Sequence, residues 1–96
     1  MAADVEVLQS TRFRRAYKRL HPAQKADVDE AVAEIVRNPE IGTSKKGDLA
    51  GVMVYKFKSR EQLMLLAYEY DPTTRLLLLL LLGTRENFYQ DFKRES

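Results

Sequence analysis

Seven consecutive leucines, residues 76–82, constrain this chain more than any other feature. Arg75 precedes the run and Gly83 follows it, which bounds a segment of strand length. A membrane-crossing helix needs about 20 apolar residues, so the run is too short to span a bilayer. A strand that is leucine at every position calls for cover on both faces, and the remaining residues must supply it. With 96 residues, 45% of them hydrophobic, the chain suffices for a single domain over 1–96 with one modest core.

The pattern on either side of the leucines supplies the other elements. Val5 and Val7 alternate with Asp4 and Glu6, which predicts a half-buried strand. Ser10 is placed to cap a helix in which Phe13, Ala16, Tyr17 and Leu20 form one apolar stripe. His21-Pro22 breaks that helix and opens a second, striped by Val28, Ala31, Val32 and Ile35 and stopped at Asn38-Pro39. The first helix is basic and the second mainly acidic, so their rims are expected to pair. A glycine-bearing loop with Lys45-Lys46 follows. Three strands come next, over 52–58, 62–70 and the leucines, with short connections at 59–61 and Asp71-Pro72. Thr84 can cap a last helix carrying Phe88 and Phe92. The predicted fold is α+β: a small antiparallel sheet in the order β-α-α-β-β-β-α, with an N-terminal helical hairpin packed on one face.

Composition excludes much chemistry. There is no cysteine, hence no disulfide and no thiolate catalysis, and His21 is the one histidine, so no site can use two imidazoles. No Gly-rich loop precedes a helix, Ser10 and His21 lack any nucleophile–base signature, and the scattered carboxylates suggest no metal site. No metal or cofactor is expected. The N-terminus carries acids where an export signal would carry cations, and no apolar stretch follows. A cytoplasmic protein without membrane association is expected. The net charge of +2 suits a polyanionic partner without requiring one.

What remains is a set of cations around the three-strand unit. Lys56 and Lys58 alternate with buried positions, so they share a strand face. Arg60 follows in the turn, Lys45 and Lys46 lie in the preceding loop, and Arg85 stands just after the leucines, with Tyr89 one helical turn on. Cations neutralise phosphate and an aromatic face stacks a base, as RNA recognition requires. The same cations can stabilise charge that develops during phosphodiester cleavage. Lysines also protect an exposed edge strand from aggregation, and the pattern alone leaves both readings open.

The second helix with its Asn38-Pro39 end, the segment Lys45-Lys46-Gly47-Asp48-Leu49 and the strand Tyr55-Lys56-Phe57-Lys58 together resemble the RelE/ParE superfamily of bacterial toxins. The strand Leu65-Leu66-Ala67-Tyr68 and the ending Gly83-Thr84-Arg85-Glu86-Asn87-Phe88-Tyr89 extend the resemblance to nearly the whole chain. It implies a toxin of a type II toxin–antitoxin system. RelE-like members cut messenger RNA on the ribosome without a metal, through attack of a ribose 2′-hydroxyl on the adjacent phosphate. ParE-like members inhibit DNA gyrase. Both are neutralised by a co-encoded antitoxin.

Carried onto this chain, the resemblance implies Arg85, Tyr89 and Lys56 as catalytic residues, with Lys45, Lys46, Lys58 and Arg60 binding RNA. Phe13, Tyr17, Phe88 and Phe92 would line or support an antitoxin groove. Related endings often carry His where this chain has Arg85. A guanidinium stays protonated near neutral pH, so proton abstraction would fall to a lysine, to Tyr89 or to the ribosome. His21 matches no active-site position and is expected to be a capping residue. The leading expectation is a ribosome-dependent mRNA endonuclease. The alternatives are a gyrase inhibitor without nuclease activity and an inactive, antitoxin-binding module.

Overall fold

Ser10 sits at the hinge between the first strand and the first helix, and its hydroxyl serves both. It accepts from the Phe13 N–H at 3.0 Å, capping the helix, and donates to the Leu80 carbonyl at 2.6 Å. In the computed structural model, which describes residues 5–44 and 51–85, the elements follow in the order β1 (Glu6–Gln9), α1 (Thr11–Lys18), α2 (Pro22–Arg37), β2 (Thr43–Ser44), β3 (Met53–Ser59), β4 (Gln62–Asp71) and β5 (Leu76–Thr84). His21 caps α2 as its sequence position suggests. The ring Nδ1 accepts from the Ala23 N–H at 3.1 Å, and Pro22 takes the first turn, where its missing N–H costs nothing.

The five strands form one sheet in the order β1-β5-β4-β3-β2. The β3–β4–β5 meander is antiparallel throughout, as expected. At its two edges the sheet adds what the sequence did not reveal. β1 pairs with β5 in parallel, and the two-residue β2 lies antiparallel to β3. A hairpin forces antiparallel pairing. The long passage from β1 through both helices imposes no such direction, so packing decided it.

Both helices lie on one face, α1 along β5 and α2 along β3. Phe13 of α1 and Val28, Ala31 and Ile35 of α2 close over Met64, Leu66, Tyr68, Leu77, Leu79 and Leu82. The opposite face carries a smaller buried group of Val52, Val54, Leu65, Ala67 and Leu81. The leucine run serves both through an irregularity in register. Tyr68 faces Leu79 but Ala67 faces Leu81, which leaves Leu80 as the extra residue of a bulge. The bulge shifts the alternation by one, so Leu81 and Leu82 are both buried, on opposite faces. Leu76, Leu78 and Leu80 are only half-buried, because the face away from the helices is less completely covered.

Two further expectations meet a different outcome. The first strand is exposed at all four positions rather than half-buried, because it is the outermost strand of the sheet. The helix rims do not pair either: among the described residues no ion pair joins α1 to α2. Instead the Tyr17 hydroxyl donates to Asp29 at 2.9 Å, and the Lys25 ammonium lies 5.6 Å from the Tyr17 ring centroid. The single ion pair seen among these residues, Arg37 with Glu34, lies within α2. No helix is long and apolar enough to cross a membrane among the described residues.

Candidate functional site

The face opposite the helices carries the cations. On β3, Met53, Tyr55 and Phe57 turn toward the helix-covered core, with the Tyr55 and Phe57 rings stacked at 6.1 Å. Alternation therefore turns Lys56 and Lys58 to the other side, where both are exposed. Register carries the row across the sheet. Lys56 stands opposite Leu65, and Leu65 opposite Gly83. Lys58 stands opposite Leu63, and Arg85 follows directly on the pair Met64–Thr84.

Strands in a sheet are about 4.8 Å apart and lysines two residues apart on one strand about 7 Å apart. Lys56, Lys58 and the Arg85 backbone thus come to one end of one face, about 7–12 Å from each other across the three strands. Gly83, opposite Leu65 on β5, adds no side chain of its own to the row. Arg85 is exposed, and none of the three cations forms an ion pair among the described residues.

Arg60 is placed differently. The β3–β4 hairpin closes on Arg60 and Glu61, both left-handed at φ 53° and 67°, and the turn leans on the start of α2. Ser59, almost fully buried, donates to Asp27 Oδ2 at 2.7 Å. Gln24 Nε2 donates to Gln62 at 3.4 Å, and Arg60 Nη1 stands 3.4 Å from His21 Nδ1. The Arg60 guanidinium is thus directed to the helix side, away from Lys56 and Lys58. Ser59 and Asp27, which anchor the end of the lysine strand, were not singled out in the sequence. The one available signal is the small polar residue that ends an alternating strand.

Of the other sequence-predicted residues, Lys45, Lys46, Phe88, Tyr89 and Phe92 lie outside the described residues. Phe13 is 2% exposed and belongs to the core, whereas Tyr17 is half-buried. Both line a hollow of about 220 Å³ between β1 and the helices. The Asp29 hydrogen bond, with smaller contributions from burial and the Asp29 charge, holds the Tyr17 hydroxyl above the usual tyrosine pKa. No cluster of three or more histidines and carboxylates suited to a metal ion occurs among the described residues.

A family model describing ParE-like toxins of type II bacterial toxin–antitoxin systems matches residues 7–93. The chain belongs to this family. Solved structures share its fold. A chain of the toxin–antitoxin complex RelBE2 from Mycobacterium tuberculosis is 26% identical, with 84% of this chain and 98% of that one covered and a TM-score of 0.70. An arginine-to-alanine double mutant of the E. coli toxin RelE, in the free state, matches over 100% of both chains with a TM-score of 0.70 at 16% identity. The YoeB/ParE toxin from Agrobacterium tumefaciens has a TM-score of 0.68 at 14% identity, covering 84% of this chain and 99% of its own. Among curated proteins, none matches the sequence. In this toxin the exposed row on β3 and just past β5 is the candidate site.

Proposed function

We propose that this toxin is a metal-independent, ribosome-dependent messenger-RNA endonuclease that inhibits translation and is held inactive by a cognate antitoxin. The observation that carries the reading is the row of exposed cations, Lys56, Lys58 and Arg85, which form no ion pair among the described residues and stand at one end of the face opposite α1 and α2. In the reaction the ribose 2′-oxygen attacks the adjacent phosphorus and the bond to the 5′-oxygen breaks. A 2′,3′-cyclic phosphate and a 5′-hydroxyl result, the 2′-hydroxyl proton leaving to a base and the 5′-oxygen gaining one. Negative charge grows on the phosphoryl oxygens, where Arg85 and Lys56 stabilise it, while Lys58 binds the neighbouring phosphate. Tyr89 is assigned to stack on a base or relay the proton.

Arg60 and the Lys45-Lys46 pair are assigned to the approach of RNA, Arg60 from the hairpin tip. A second reading, inhibition of DNA gyrase, draws on the ParE-like description of the matched family. Primer extension on a defined messenger RNA, with and without translating ribosomes, separates the two. Cuts in codon register that require ribosomes and disappear in Arg85→Ala are expected. No cuts from folded protein, together with loss of supercoiling activity when gyrase is added, would replace the nuclease reading with the second one.

A further inference from the structure

The charges on α1 oppose its own stability. The helix carries Arg12, Arg14, Arg15 and Lys18 with no acid among its residues, and Arg19 extends the series at the C-cap. Arg15 and Arg19 stand four residues apart, as do Arg14 and Lys18, and like charges at that spacing repel. Arg12 lies in the first turn, where the helix dipole disfavours a cation and where no acidic residue stands. No ion pair engages Arg15 or Arg19 among the described residues, so the acids of α2 do not relieve the repulsion. Local rules are broken in this way chiefly at functional sites.

Three of these cations converge. Arg12, Arg15 and Arg19, with Ala16, line a hollow of about 260 Å³ against Leu81 and Leu82 of β5. β1 pairs with β5 only as far as Leu79, so this stretch of β5 lies beyond the parallel strand. Arg15 and Arg19 are exposed. Leu81 and Leu82 are each only 5% exposed, and the floor offers little apolar surface to seat an apolar side chain. The walls are guanidiniums, planar forks that donate in pairs to oxyanions. One carboxylate brings a single charge and two oxygens, too few for three guanidiniums. A terminal phosphate group brings a charge of about −1.5 to −2 and three acceptor oxygens.

We propose that the hollow between α1 and β5 is a binding site for a terminal phosphate group, held by Arg12, Arg15 and Arg19 and separate from the row of Lys56, Lys58 and Arg85. The site goes beyond the nuclease reading and stands without it. The phosphate belongs to a free nucleotide or to a 5′-phosphorylated RNA end. The test follows the Arg15 and Arg19 Nε–H signals of the unaltered toxin by NMR, at an ionic strength held constant with chloride. Inorganic phosphate and a nucleoside 5′-monophosphate should shift both signals saturably. A 5′-phosphorylated 2′-O-methyl oligoribonucleotide that binds about tenfold more tightly than the monophosphate assigns the site to an RNA end, and equal binding assigns it to a free nucleotide. Arg15→Gln with Arg19→Gln should weaken phosphate binding about tenfold or more, while its urea midpoint in chloride should not fall, because two like charges are removed. Shifts that do not saturate, equal shifts from succinate, or a 5′-hydroxyl oligonucleotide that binds as tightly as the phosphorylated one would each overturn the proposal. A lower midpoint in the double variant would make these arginines structural and overturn it as well.

Discussion

Tyr68 shows how much one side chain arranges. It is fully buried, and its hydroxyl donates to the Pro39 carbonyl at 2.7 Å while accepting from the Gly42 N–H at 3.0 Å. The chain leaving α2 is thereby pinned to the middle of β4. Gly42 is required there, because a Cβ would come within 2.8 Å of the Tyr68 hydroxyl and 3.0 Å of the Val54 carbonyl oxygen. Tyr68→Phe leaves both backbone groups without that partner and should cost about 1–3 kcal/mol, read from urea unfolding at neutral pH. Burial, the largest influence, raises the Tyr68 pKa above its ordinary value. The folded state therefore holds the proton more tightly than the unfolded one. Stability is maintained below about pH 10, where unfolded tyrosine ionises, and falls as pH rises through the folded pKa. Tyr17, raised mainly by its bond to Asp29, acts in the same direction. The Tyr68→Phe protein should lose less stability above pH 10 than the parent, and an identical alkaline slope would contradict this account.

At the scale of elements, the β3–β4 hairpin is the part that departs most from local preference. Two-residue hairpin loops with both central residues at positive φ favour Asn-Gly, yet Arg60 and Glu61 occupy them here. Residues with a Cβ pay about 1 kcal/mol each in this region, and the contacts of Ser59, Arg60 and Gln62 to the start of α2 hold them there. Glu61 makes none of those contacts, so Glu61→Gly should stabilise the toxin by about 0.5–1 kcal/mol, seen as a higher urea midpoint with unchanged slope. A lower midpoint would show that Glu61 has a role beyond closing the turn. The connection at 59–61 was legible in the sequence, but its left-handed geometry was not. Nothing in Ser-Arg-Glu announces positive φ, which the docking against α2 imposes.

On the scale of the whole molecule, the cations matter as an arrangement. The net charge is only +2, so any polyanion binding depends on where the charges stand. Each lysine or arginine neutralising a phosphate of single-stranded RNA contributes about 0.7 to the slope of log affinity against log salt. The Lys56→Ala, Arg85→Ala double variant should therefore bind messenger RNA on ribosomes more weakly, with a slope shallower by about 1.4. An unchanged slope would remove these residues from the RNA contact.

Much of this was written in the chain itself. Capping by Ser10 and His21, the apolar stripe of α2, the meander and the shared face of Lys56 and Lys58 all follow from local periodicity and from which side chains can satisfy a helix end. Those rules act over a few residues and so can be read along the sequence. Three features depend on partners far away in it. The bulge at Leu80 lies where the β4 register shifts, and the Ser10 hydroxyl, seventy residues earlier, donates to its carbonyl. β1 runs parallel to β5 because packing of the intervening helices, rather than a hairpin, sets its direction. Arg60 turns from the other cations because Ser59 finds Asp27 and Arg60 finds His21. Seven identical leucines contain no information about register, and only the tertiary structure decides which of them faces which layer.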